Sequence, residues 1–216
     1  MRQFRILRLA LGLAALLGCA RDAAPIDPGP LHPALQRDLV RLGMLDQTAR
    51  VAFTAESVSD TALMRTLLSL DSLLTSRLRA IVREQGWPTR TMVGASGARA
   101  AFLIVQHSPS NAFQREMLPL LSAAAENDEA SPGDAAMLED RVLTDEGKPQ
   151  RYGTQFRIVA GELIPYPIEE PETLDERRAR VGLMPMAEYV KLLEETYEGP
   201  VRYPADSAAA GDTLGR

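Results

Sequence analysis

Residues 57–81, SVSDTALMRTLLSLDSLLTSRLRAI, decide the fold. Ser57 to Asp60 supplies helix-start residues, and Leu63, Leu67, Leu70, Leu74, Leu78 and Ile81 follow in steps of three and four. That spacing lays one apolar stripe along a helix of ~3.6 residues per turn. Gly86-Trp87-Pro88-Thr89 ends the helix, because proline brings no N–H to continue it. Upstream, Leu35, Leu39, Leu42 and Leu45 mark a shorter helix. Downstream, Gly97 to Gln106 is apolar nearly all round, which predicts a helix at the centre of a bundle. Ser108-Pro109 reads as a cap with proline at the first helical position, opening a helix through Phe113, Met117 and Leu121. Ser131-Pro132-Gly133-Asp134 repeats that logic for a helix to about Thr144, which Gly147 stops.

The period changes at Tyr152. Tyr152 to Ile158 alternates, Ala160-Gly161 turns, and Glu162 to Ile168 is extended again, so a β-hairpin is expected near residues 152–168. Thr173-Leu-Asp-Glu176 reads as a capping box for a short helix ending at Gly182, and a last helix runs from Pro185 to about Tyr197. The fold class is therefore mainly α: a helical bundle-like single domain with one small hairpin, over residues 31–203. No internal repeat interrupts it.

Residues outside the domain speak to location. Arg2, Arg5 and Arg8 precede the apolar stretch Leu9 to Leu17, and Leu16-Leu17-Gly18-Cys19 has the form of a lipobox. Residues 1–18 are thus expected to be a lipoprotein signal peptide, too short to span a bilayer. Cys19, the single cysteine, would carry the lipid, and two or more acyl chains give lasting anchorage. Residues 19–30, with Pro25, Pro28, Gly29 and Pro30, form a flexible tether, and residues 204–216 a disordered tail. The expected place is the cell envelope, on the periplasmic side of the outer membrane if the host has two membranes.

Removing residues 1–18 takes away three arginines and no acid, which moves the formal charge from −5 to −8. So acidic a chain has no electrostatic footprint for nucleic acid and no polybasic patch for anionic lipid. The expected partners are the membrane, through the anchor, and a small ligand or an envelope protein. With Cys19 modified and only His32 and His107 as imidazoles, neither a thiolate nucleophile nor a zinc site is expected, and no cofactor is implied. Gly-rich phosphate loops, His-Glu-x-x-His and Gly-x-Ser-x-Gly are missing.

Polar residues gather instead at element ends. Gln106-His107 closes the most apolar helix, Asp140-Arg141 lies on a helix with Met137 and Leu138, and Gln150-Arg-Tyr152-Gly-Thr154-Gln155 leads into the hairpin. Each has a structural reading: a helix C-cap for His107, a solvated pair for Asp140 and Arg141 or a tie of Arg141 to the hairpin, backbone satisfaction around Gly153 for the glutamines. The functional reading gathers Gln106, His107, Asp140, Arg141, Gln150, Tyr152, Thr154 and Gln155 around one pocket. There His107 would be a general base, Arg141 an anion clamp, and Asp140 would orient the imidazole.

Gly86-Trp87-Pro88, Leu103-Ile-Val-Gln-His107, Ala136-Met-Leu-Glu-Asp-Arg141 and Pro149-Gln-Arg-Tyr-Gly-Thr-Gln155 together resemble the blocks of a bacterial family, domain of unknown function 6624. Arg178, Gly182-Leu183 and Tyr189 resemble its closing block. The likeness spans about Gly86 to Tyr189, with the first helix outside it. It implies that the Gln-His, Asp-Arg and Tyr-Gly-Thr-Gln groups act as a unit, and it implies no reaction. Two functions follow as expectations: a ligand- or partner-binding envelope protein, or an envelope hydrolase or lyase using His107 as base.

Overall fold

The structure, a computed structural model, describes residues 29–51, 60–197 and 199–203. The signal peptide, Cys19, most of the tether and the C-terminal tail lie outside the described residues. Among those described are seven α-helices: α1 Pro33–Val51, α2 Thr61–Gln85, α3 Arg90–Gln106, α4 Asn111–Glu126, α5 Pro132–Asp145, α6 Leu174–Arg180 and α7 Met186–Tyr197. A two-stranded antiparallel sheet, β1 Phe156–Val159 and β2 Glu162–Pro165, separates α5 from α6. The mainly α class holds. No described helix is long and apolar enough to cross a membrane.

α1 lies along α3, and α4 along α5. Nine residues of α3 are buried, among them Ala100, Ala101, Phe102, Ile104 and Val105, so the helix that is apolar all round is the central one. Leu39, Leu74, Leu78, Phe113, Met117, Leu121 and Leu138 pack into the same core. α1 comes very close: a Cβ on Gly43 would fall 2.7 Å from the Ala100 Cβ. The α2 stripe is buried at Leu74, Leu78 and Ile81, whereas Leu45, at the end of the α1 stripe, stays exposed.

A second, smaller core holds the C-terminal part. Leu174, Met186, Val190 and Val201 are buried there, with Phe156, Leu163, Ile168 and Tyr189 packed against them. The hairpin turns at Ala160 and Gly161, both at positive φ (52° and 85°), which matches the right-handed twist of two-residue hairpin loops. Residues around Val201 add a third edge, with Leu163 N donating to Pro200 O and Arg202 N to Leu163 O.

Several local expectations are corrected. α3 starts at Arg90, capped by Thr89, with a break at Gly94 (φ 67°), rather than near Gly97. α4 is capped by Ser110 and not Ser108, whose Oγ accepts from Ser110 N instead. Thr173 makes no cap bond; it ends a 3-10 turn over Pro171–Thr173, and its hydroxyl donates to Glu170 O (3.2 Å). Both strands are shorter than expected, because backbone at the hairpin entry is engaged elsewhere.

Candidate functional site

The sequence-predicted polar residues form two hubs. The first centres on Asp140, which is completely buried in α5. Its carboxylate accepts from Arg151 N (2.7 Å), Tyr152 N (3.0 Å), Thr154 N (3.0 Å) and Thr154 Oγ1 (2.9 Å). These donors curl residues 151–154 around one side chain, which is why β1 begins only at Phe156. Gly153 makes the curl possible: its φ is 67°, and a Cβ would sit 3.2 Å from Met186 Sδ. Burial pushes the Asp140 carboxyl above its usual range, and the donated bonds pull it back in part.

Gln150 and Gln155 belong to this hub. Gln150 Nε2 donates to Gln155 O and Tyr166 O, while its Oε1 accepts from Gln155 N (2.8 Å). Gln155 Nε2 donates to Thr154 Oγ1 and Met137 O. Arg178, 1% exposed, donates to Met184 O and Tyr152 O and stacks 4.9 Å from the Tyr189 ring. Tyr152 contributes backbone here, and its ring lies under the Arg151 guanidinium. Apart from the Tyr152 ring, these groups bond one another or neighbouring backbone.

The second hub centres on His107, the C-cap of α3. His107 Nδ1 lies 2.9 Å from both Asp46 oxygens and 2.8 Å from Arg50 Nε. Arg50 Nη2 donates to Asp46 (3.0 Å) and to Asp71 (2.7 Å). Asp46 and Asp71 are buried, while the side chains of His107 and Arg50 are 24% and 26% exposed. The acid that orients the imidazole is therefore Asp46, not Asp140, whose oxygens are filled by the 151–154 loop.

Charge in this hub is uneven. Burial raises the Asp46 carboxyl, but His107, Gln47 and Arg50 more than offset it and hold it below its usual range. For Asp71, burial outweighs the attraction of Arg50 and pushes the carboxyl up, and Asp46 adds to the push. Nδ1 can serve only one neighbour at a time. Protonated there, it donates to Asp46 and leaves Nε2 as an acceptor; unprotonated, it accepts from Arg50 and presents Nε2–H as a donor. No group among the described residues bonds Nε2, so the imidazole offers either role outward.

Gln106 and Arg141 stand beside this hub. Gln106 is buried, and its Oε1 accepts from Arg141 Nε (2.9 Å) and Nη2 (3.2 Å) in the amide orientation that satisfies both. Burial lowers the Arg141 guanidinium from its ordinary value, and the charge of Arg50 lowers it further. The structure thus brings Gln106, His107 and Arg141 into one group, and Asp140, Gln150, Tyr152, Thr154 and Gln155 into another. The two groups touch through the adjacent residues Asp140 and Arg141. Two surface grooves open elsewhere. One, of about 610 Å³, follows the outer face of α1 past Val40, Met44 and Leu45; the other, of about 400 Å³, lies between His32 and Glu84.

Sequence reading missed Asp46, Arg50 and Asp71. A signal was present: Asp71 falls on the apolar stripe between Leu67 and Leu74, and Asp46 continues the line of Leu39 and Leu42. Acids on buried stripes are rare unless paired. No cluster of three or more His, Cys, Asp or Glu suited to a metal occurs among the described residues.

Comparison with curated proteins and with solved structures gives no match. A family model does match, and its span takes in α1 and α2, so Asp46, Arg50 and Asp71 fall inside the family domain together with His107. Over residues 33–202 the chain belongs to the family of unknown function DUF6624.

Proposed function

We propose that this is a lipid-anchored envelope protein whose helical domain binds a small ligand at the His107 hub. One observation carries the site: a partly exposed imidazole, fixed by a buried carboxylate on Nδ1, with Nε2 free of any described partner. Structural histidines commonly spend both nitrogens on the protein, and a fixed ring with one open nitrogen is suited to an incoming group. The anchor rests on Leu16-Leu17-Gly18-Cys19. Two measurements test the pair of claims. Full-length protein extracted from native membranes in mild detergent should carry a small molecule, detected by mass spectrometry, that His107→Ala no longer carries. Cys19→Ser should abolish incorporation of radiolabelled palmitate; unchanged labelling would overturn the anchor.

The same Asp46–His107 pair supports a second reading, an envelope hydrolase or lyase. With Nδ1–H held by Asp46, Nε2 is free to take a proton from water or substrate, and the imidazolium that forms faces a carboxylate already ionised. No Ser, Thr or Cys nucleophile bonds Nε2 among the described residues, so water would be the attacking group. Loss of turnover in both His107→Ala and Asp46→Asn, with the bound molecule retained, would favour this reading over simple binding.

A further inference from the structure

We propose that the ligand of this site carries an oxyanion, a carboxylate or a phosphate, seated on the guanidiniums of Arg141 and Arg50 beside His107. The inference rests on the reading of the His107 hub as a ligand site. Its starting point is a contrast between two guanidiniums. Arg178 is sealed: two carbonyl oxygens and an aromatic face take up its donors and its charge. Arg141 has only a neutral amide, Gln106, on its Nε and Nη2 edge, and no carboxylate lies within 4 Å of it among the described residues. A partly buried cation with a neutral partner alone is costly, and an anion would offset that cost.

The neighbours of Arg141 sharpen the choice of ligand. Gln106 and His107 are consecutive, so the amide that holds Arg141 and the imidazole that meets Arg50 leave the same turn of backbone. Burial lowers the Arg141 guanidinium, and the charge of Arg50 adds to that. Asp46 and Asp71 both sit on Arg50 Nη2, which leaves Nη1 without a described acceptor. The unpaired donors of both arginines are not closed off, since the only sealed, unpartnered side-chain atoms among the described residues are Thr75 Oγ1 and Trp87 Nε1. Two guanidinium edges and an imidazole able to present Nε2–H make a donor set for one oxyanion, whose planar or tetrahedral oxygens suit guanidinium forks. Asp145, whose charge also reaches Arg141, makes no ion pair with it, and one of its oxygens accepts from Asn111 Nδ2.

The test uses the full-length protein in micelles, labelled with ¹⁵N-arginine and ¹⁵N-histidine, titrated separately with sodium phosphate and sodium acetate at constant ionic strength. Saturable shifts of the Arg141 and Arg50 Nε–H signals, with the His107 ring following, are expected for at least one probe. Phosphate alone would point to a phosphorylated ligand, acetate alone to a carboxylate. Arg141→Gln should weaken that response roughly tenfold or more, the scale of one lost charge-assisted contact. Absence of a saturable shift with either probe overturns the proposal, and so does a response that Arg141→Gln leaves intact, which marks an adventitious ion only. If Arg141→Gln does not fold, Gln106→Leu, which removes the amide that holds Arg141, must still weaken the response for the proposal to stand. A neutral molecule that co-purifies in a His107-dependent way, with no anion response, would overturn this inference and leave the site. Anion binding with no His107-dependent ligand would do the reverse.

Discussion

The two polar hubs of this domain use the same residue types to opposite ends. Around Asp140, three backbone N–H groups and a hydroxyl converge on one carboxylate, and Gln150, Gln155 and Arg178 tie the same loop to its neighbours. Around His107, two carboxylates and the Arg50 guanidinium meet, Arg141 is held by the neighbouring Gln106, and the imidazole and both arginines keep donors open. A network whose donors and acceptors are all spent inside fixes a chain path. One that leaves donors facing outward, at some cost in stability, has the marks of a site that acts on something else. The comparison can be broken by mutation, because the hubs should respond differently in stability.

The largest effect should follow Asp140→Ala. It strands the buried Thr154 N–H and the partly buried Arg151 and Tyr152 N–H groups, and a buried group costs about 1–3 kcal/mol when left unpaired. A total loss of at least about 3 kcal/mol, or roughly 6–12 °C in melting temperature for a domain of this size, is expected by thermal circular dichroism. Hydrogen exchange should rise first at residues 151–155. A drop as small as a degree or two would mean that the 151–154 curl is held by something other than this carboxylate.

Arg178→Met should come next, at about 2 kcal/mol, because it leaves the Met184 and Tyr152 carbonyls without a donor and removes the stack on Tyr189. Its signature is local. Protection from hydrogen exchange should fall in α6, α7 and the hairpin while α3 keeps its own, since the small core around Leu174, Met186 and Val190 is separate from the main one. Uniform loss across both cores would make the domain a single cooperative unit.

How much of this could be read from the sequence differs between the hubs for the same reason. Helices and turns follow from local rules, so the α2 stripe, the Ser131 cap, the Gly147 stop and the Ala160-Gly161 turn all appear where the residues place them. The membership of the Asp140 hub was also legible, because Asp140 and the Gln150 to Gln155 run stand within one stretch of chain and within the family's blocks. What each residue bonds to was not. The His107 hub joins residues 46, 50, 71, 106, 107 and 141 across four helices. Sequence shows Asp71 as an acid on an apolar stripe, which says that a partner is needed but not which one. Asp140 was assigned to the imidazole by proximity in the motif, and the burial of its oxygens under residues 151–154 overrules that.

His107→Ala should cost no more than about 1 kcal/mol, the net worth of one hydrogen bond whose partner is not orphaned. Asp46 would still accept from Gln47 Nε2 (2.7 Å) and Arg50 Nη2 (3.0 Å). Arg141→Met should be close to neutral, since losing the Gln106 contact is offset by removing a desolvated cation. Urea denaturation midpoints of both variants decide the matter. A loss of about 3 kcal/mol in either, equal to that expected for Asp140→Ala, would erase the distinction between the hubs and make the second as architectural as the first.

The smallest effect lies in the pH dependence of stability, where Asp46 should differ in sign from Asp140 and Asp71. Asp46 is held below the ordinary carboxyl value of 3.8, so its contribution is fully present above that value and is lost as the pH falls through the depressed one. Asp140 and Asp71 are raised by burial, so their ionised forms carry a penalty that is relieved as the pH falls through their raised values toward 3.8. Acidification from neutrality should therefore first ease the Asp140 and Asp71 penalties, and only below about pH 4 should the loss at Asp46 begin to steepen the decline. Asp46→Asn should flatten that lowest limb, measured as urea midpoints across a pH series. A variant that left the limb below about pH 4 as steep as before would show that Asp46 is not held ionised by its partners, and would remove the fixed carboxylate on which the orientation of the imidazole is built.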